Sequence, residues 1–217
     1  MKYLPPADLG LEPIYVDAHL LVVNKPAGLL SVPGRGVDKM DCLISRVQRE
    51  YADALIVHRL DMATSGLLVL ARGVESQRAL SLLFQQRQVN KAYVAVVHGL
   101  VAEQVGEIDL PLYTDWPNRP RQHVNFHCGK PSQTGYRVLD RDSQAERSRL
   151  LMMPVTGRTH QLRVHAQFIG HPIVGDLLYA PTEPAQQEPR LLLHAQSLSL
   201  VHPYTQTKMS WTSEVVF

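Results

Sequence analysis

Five successive apolar residues, Leu67 to Ala71 (LLVLA), follow the polar, turn-prone stretch HRLDMATSG and constrain the fold more than any other feature. A continuous apolar run this short predicts a strand covered on both faces. The polar stretch that ends at Gly66 then hangs from a buried sheet. Connections positioned by a rigid scaffold are where reactive groups concentrate.

The neighbouring segments supply the rest of that scaffold. PIYVDAHLLVVNKP predicts a hairpin broken at Asp17 to His19 and stopped at Lys25-Pro26, and GLLSVPGRG, with glycines 28, 34 and 36, predicts a loop. DCLISRVQREY places Leu43, Ile44, Val47 and Tyr51 on one helical stripe capped by Asp41. Glu75 to Gln88 carries Ala79, Leu80, Leu83 and Phe84 at helical spacing, and KAYVAVVHG is a further buried strand. TGYRVLDR and RSRLLMMPV pair around the tip Asp142 to Glu146, and LLLHAQSLSLVHP pairs with KMSWT. Between them Thr159 caps a helix from His160 to Ile169, with Gly170 at its C′ position and Pro172 beyond. PTEPAQQEP, with three prolines, reads as a solvated loop. The sum is α+β: a mixed, mostly antiparallel β-sheet with packed helices, expected as a single domain over residues 1–217.

Composition narrows the class. With 45% hydrophobic and 19% charged residues the chain is neither disordered nor coiled coil. No apolar run reaches the roughly 20 residues of a membrane span, and MKYLPPADLG lacks a signal-peptide core, so a soluble cytoplasmic protein without membrane partners is expected. Cys42 and Cys128, far apart, are expected to be reduced. The formal charge is only +2, yet sixteen arginines stand against six lysines, and arginine suits bidentate phosphate contacts and stacking on bases.

Asp61 is the leading candidate for chemistry; the alternative is that its carboxylate merely bonds the Ala63 or Thr64 amide to start a turn. Arg59, two residues earlier, would share a side with Asp61 in extended chain, as a salt bridge or as a second working group. Arg163 flanks the apolar stripe of its helix, where a half-buried guanidinium requires a carboxylate, and Asp61 is one such partner. Tyr93 interrupts an apolar strand and is either a core tyrosine or a site group. His160 and His165, five apart, do not share a helix face, so no metal is expected, and no phosphate-binding glycine loop indicates a nucleotide. Ser65 lacks the glycine pattern of a nucleophile elbow. A glycosidase-like hydrolase would need a second placed carboxylate, for which Asp38, Asp41 and Asp176 carry no signature.

VHRLDMATSGLLVLAR, with VVNKPAGLLSVPG before it and KAYVAVV and VTGRTHQLRVHAQFIGHPIVGD after it, resembles the RluA-type family of pseudouridine synthases. The four motifs occur in order between residues 22 and 176, and DWPNRPRQ and RLLLHAQSLSL extend the resemblance over nearly the whole chain. The resemblance implies that Asp61 is the catalytic aspartate, acting as nucleophile or as base toward the 2′ proton. Tyr93 is then the active-site tyrosine and acceptor of the C5 proton, and Arg163 the arginine paired with the aspartate. Arg59 would enter the RNA where the target base has flipped out, and His58, Arg35, Arg119, Arg121 and Lys130 are expected RNA contacts. HRLD begins at residue 58, leaving no room for the small S4-like RNA-binding module with which many members begin, so the catalytic domain is expected to recognise RNA unaided. The implied substrates are a uridine in a tRNA anticodon stem-loop and one in a 23S rRNA loop, modified by a monomer without metal, nucleotide or other cofactor. The alternatives are a sibling enzyme acting on one rRNA and a non-catalytic RNA-binding domain.

Overall fold

The structure, a computed structural model, describes residues 3–180 and 188–217. Two compact units are distinguished, one of Met1–Lys91 with Ala195–Val216, the other of Ala92–His194 with Phe217.

In the first unit, β1 (Tyr15–Val16) and β2 (Leu20–Lys25) form the expected hairpin, and the Asp17 carboxylate makes its turn by accepting the His19 and Leu20 amides at 2.7 and 2.8 Å. A short helix, α1 (Leu43–Val47), and strand β3 (Ala54–Ile56) lead to β4 (Ser65–Arg72), the strand predicted from LLVLA. Seven of the eight β4 residues are buried, as two-faced coverage requires. β4 runs antiparallel to β2, with Lys25 opposite Gly66 and Leu20 opposite Ala71. Gly66 has φ 112°, and a Cβ there would fall on the Ala195 main chain, so only glycine admits this approach. The helix α2 (Gly73–Gln85) follows and lays Leu80 on the core.

β5 (Asn90–His98) carries the chain into the second unit, which continues with β6 (Val105–Asp109), β7 (Leu112–Thr114), β8 (Gln122–Val124), β9 (Gln133–Asp142) and β10 (Arg147–Pro154). The order here is β5-β10-β9-β6, antiparallel throughout, while β7 and β8 form a separate two-stranded ribbon. The helix α3 (Gln161–Phe168) closes the run, and Gly170 behind it has φ 84°. β11 (Leu193–Val201) then returns to the first unit, where it lies beside β4 and pairs with β12 (Lys208–Thr212). Leu20, Val22, Leu67, Val69, Leu198 and Trp211 meet in that unit's core, each fully buried side chain worth about 1.5–3 kcal/mol.

Three expectations need correction. α1 ends at Val47 and not at Tyr51, and it is capped by Cys42, whose amide donates to the Ser45 hydroxyl oxygen at 3.0 Å. Asp41 instead takes the Arg46 guanidinium in a two-pronged pair at 2.8 Å, a stronger use of a carboxylate than one amide. Thr159 does not cap α3: the preceding residue is His160, in the left-handed conformation at φ 54°, and the Gln161 carboxamide oxygen receives the Arg158 amide and the Thr156 hydroxyl. The loop expected over residues 181–189 lies, apart from its last two residues, outside the described residues.

Candidate active site

The stretch from His58 to Thr64 is loop, and its anchors alternate along the chain. The His58 ring stacks on Phe84 with centroids 4.4 Å apart, and its Nε2 accepts the Val69 amide at 2.9 Å. Burial, helped by the Lys91 charge, pushes the His58 pKa down to about 3, as a ring nitrogen committed to accepting an amide requires. Leu60 is buried, and the Ser31 hydroxyl serves both its groups, donating to the carbonyl at 2.7 Å and accepting the amide at 3.2 Å. Met62 presents its carbonyl to the Gly28 amide at 2.8 Å and to the Lys25 ammonium at 3.1 Å. Lys25 is wholly buried and also donates to the carbonyls of Pro26 and Leu29 at 2.9 and 2.7 Å.

Between those anchors sit Arg59, exposed, and Asp61, half-buried. The turn after Asp61 is closed by main chain, the Thr64 amide donating to the Asp61 carbonyl at 3.1 Å. His58 turns one ring face and Nε2 toward the protein. Arg35 is exposed in the loop ahead of Val37–Lys39.

In the second unit Arg163 is 5% exposed on α3. Its Nε and Nη2 fork onto both Asp176 oxygens at 2.7 Å, and its guanidinium lies 5.1 Å above the Tyr179 ring. The bidentate acid within this unit is Asp176, which a tight turn at Gly175 (φ 76°) delivers and which also takes the Leu178 and Tyr179 amides. A Cβ at Gly175 would collide with the Arg190 carbonyl. Tyr179 is held in turn: its hydroxyl accepts the Gln122 amide at 2.8 Å and meets His160 Nδ1 at 2.8 Å. The buried His165 donates from Nε2 to the Leu110 carbonyl and accepts at Nδ1 from Thr134, and burial lowers its pKa, so it stays neutral.

Tyr93 is half-buried on β5 opposite Met152. Arg119 and Arg121 lie exposed on the β7–β8 turn, and Lys130 is exposed where it bridges to Leu112. Of the carboxylates considered for a hydrolase, Asp41 and Asp176 are taken up in arginine pairs and Asp38 lies in the exposed turn Val37–Lys39. Among the described residues no three His, Cys, Asp or Glu side chains gather as metal ligands would. Lys25, Ser31 and Tyr179 are the site-building residues that sequence reasoning did not single out, and Asp176 was weighed only as a hydrolase's second carboxylate. The only signal for Lys25 was a lysine ending an apolar strand.

A family model described as RNA pseudouridylate synthase matches residues 19–168. The chain is 50% identical to the Dual-specificity RNA pseudouridine synthase RluA of Vibrio parahaemolyticus, over 94% of this chain and 82% of that protein. It is 46% identical to the protein of the same name from Escherichia coli K12, over 100% of this chain and 98% of that one. Among solved structures, Human RNA Pseudouridylate Synthase Domain Containing 1 superimposes with a TM-score of 0.79 at 29% identity, covering 97% of this chain and 86% of the other. Human RNA Pseudouridylate Synthase Domain Containing 4, at 23% identity and TM-score 0.73 over 95% of this chain, shares the fold.

Proposed function

We infer the working parts from one premise: the chain belongs to the RNA pseudouridylate synthase family, among its RluA-type members, and is an isomerase that makes pseudouridine in RNA. Within that reaction Asp61 is the catalytic carboxylate. The conversion breaks the N1–C1′ bond of uridine, turns the uracil, joins C5 to C1′ and moves the C5 proton to solvent while N1 gains one; no electrons are exchanged with another molecule. Asp61 promotes cleavage and reattachment at the sugar, Tyr93 packs against the base and takes the C5 proton directly or through water, and Arg163 is the arginine paired with that carboxylate. The Asp176 fork fixes the Arg163 guanidinium in one orientation for that task.

The target atoms are out of reach inside a stacked helix, so the nucleotide flips out, at a cost of a few kcal/mol that is least in a loop. Arg59 fills the vacated space, stacking its guanidinium plane and donating to bases or phosphate. Arg35, Arg119, Arg121 and Lys130 contact phosphates. The substrates are a uridine in a tRNA anticodon stem-loop and one in a 23S rRNA loop, read as a shared loop shape by a single, monomeric catalytic domain. The relatives' name, dual-specificity, supports two RNAs over one.

The observation that carries this reading is the alternation along residues 58–62: His58, Leu60 and Met62 supply the anchors, and the cation and the acid lie between them. The test is incubation with separate tRNA and rRNA transcripts, without metal or nucleotide, followed by mapping of isomerised sites. Product in both RNAs with the natural chain and in neither with Asp61→Asn is expected. Full turnover by Asp61→Asn would refute the assignment.

A further inference from the structure

We propose that the β7–β8 hairpin is a second RNA-gripping element, in which Trp116, backed by Arg119, stacks an unpaired base that flanks the target uridine. The proposal rests on the reading of the chain as an enzyme of loop RNA, and it adds a contact that none of the residues assigned above supplies.

The chain has two tryptophans, and they are used oppositely. Trp211 is 8% exposed in the core of the first unit, whereas Trp116 is 57% exposed at the hairpin tip. A large indole left in water on a protein surface marks a contact site when its surroundings are ordered and predominantly of one charge. Both conditions hold. The Arg119 guanidinium lies 4.5 Å from the Trp116 ring centroid, which holds the ring from one side. The turn beneath is locked by main-chain bonds: Asp115 amide to Arg121 carbonyl at 3.0 Å, Asn118 amide to Asp115 carbonyl at 3.1 Å, and Arg121 amide to Asn118 carbonyl at 3.1 Å. Between Leu112 and Lys130 three cations, Arg119, Arg121 and Lys130, face one carboxylate, Asp115, and that carboxylate is occupied by the Asn118 amide and carboxamide.

The base of the hairpin ties this surface to the site. The Gln122 amide donates to the Tyr179 hydroxyl, and the Tyr179 ring is the one on which Arg163 lies. Leu112 and Val164 pack with Tyr179 in one apolar cluster, so the ribbon that carries Trp116 and the helix that carries Arg163 share a foundation. A rigid aromatic face, a cationic rim and a fixed offset from a site arginine match what an unpaired nucleotide needs: a π-face for the base and charge for its phosphate. A protein partner would meet an excess of positive charge there.

A stem-loop RNA carrying the target uridine is titrated into Asp61→Asn and into Asp61→Asn with Trp116→Phe, and tryptophan emission is followed. Quenching that vanishes with Trp116→Phe, which leaves only Trp211, is expected. In the otherwise natural chain, Trp116→Ala should raise KM roughly 5- to 150-fold with kcat at saturating RNA little changed, and Trp116→Phe should restore most of the loss. Arg119→Ala should lower the salt slope of binding by about one. Unquenched Trp116 emission in RNA-saturated protein, or an unchanged KM in Trp116→Ala, overturns the proposal, as a hairpin built to dock protein would. Product formation by the natural chain on the same RNA tests the reading of function separately, and the quenching result stands whether or not product forms.

Discussion

The stretch from His58 to Thr64 and the stretch from His160 to Tyr179 each present a group for chemistry, but they are held in opposite ways. The first is fixed by many bonds to main chain, spread over His58, Ser31 and Lys25 and made by the neighbours of Asp61. The second hinges on one buried ion pair, Arg163 with Asp176, in which the presented cation is itself the keystone. Function and stability are therefore separable at Asp61 and fused at Arg163.

The largest effect expected is at Asp61. Asp61→Asn should lower product formation by more than about 1000-fold while the urea midpoint moves by less than about 0.5 kcal/mol equivalent. A large loss of stability in that variant would erase the contrast. Next comes Asp176→Ala, which takes the bidentate carboxylate away from a buried guanidinium and should cost about 3–5 kcal/mol in urea unfolding, with activity lost alongside. Pairing Arg163→Met with Asp176→Leu should recover much of that stability but none of the activity. Ser31→Ala leaves the buried Leu60 amide without its acceptor and should cost about 1–3 kcal/mol, with kcat falling more than KM rises, because it loosens the frame around Asp61 without removing a group that touches RNA.

Acid supplies a smaller, graded test. His58 has its folded pKa held at about 3 and His194 at about 4, both below the ordinary value of 6.5 and both chiefly through burial. Between those limits the unfolded chain binds protons that the folded chain refuses. Stability is therefore full above pH 6.5 and falls as the pH drops through that window, by up to about 1.4 kcal/mol per unit for each histidine. His58→Gln, which keeps a polar acceptor near Val69, should flatten part of that slope in pH-dependent urea titrations. The smallest effect belongs to Arg35→Ala, expected to weaken RNA binding only a few-fold and to reduce its salt slope by about one.

The legible parts of the molecule are those in which the pattern lies in the residues themselves. LLVLA announced β4, Gly170 marked a real left-handed position, and HRLD announced a loop worth attention. The illegible parts depend on partners that leave no pattern. Lys25 is held by carbonyls of Pro26, Leu29 and Met62, and every residue has a carbonyl. That Arg163 needed an acid was readable from its place beside an apolar stripe; Asp176 as one such acid was not, because the Gly175 turn, and not the spacing, delivers it. Asp41 and Thr159 sat at ordinary cap positions, yet a guanidinium claimed the first and the Gln161 carboxamide made the second unnecessary. Strands β3, β7 and β8, of three residues each, are too short to display alternation.

One hydroxyl on both polar groups of Leu60 makes position 59 a socket open to redesign. The main chain beside it is clamped from behind, so lysine, glutamine or an aromatic ring could be exchanged for the arginine there, and the choice of RNA retuned, while the acid two residues on keeps its place.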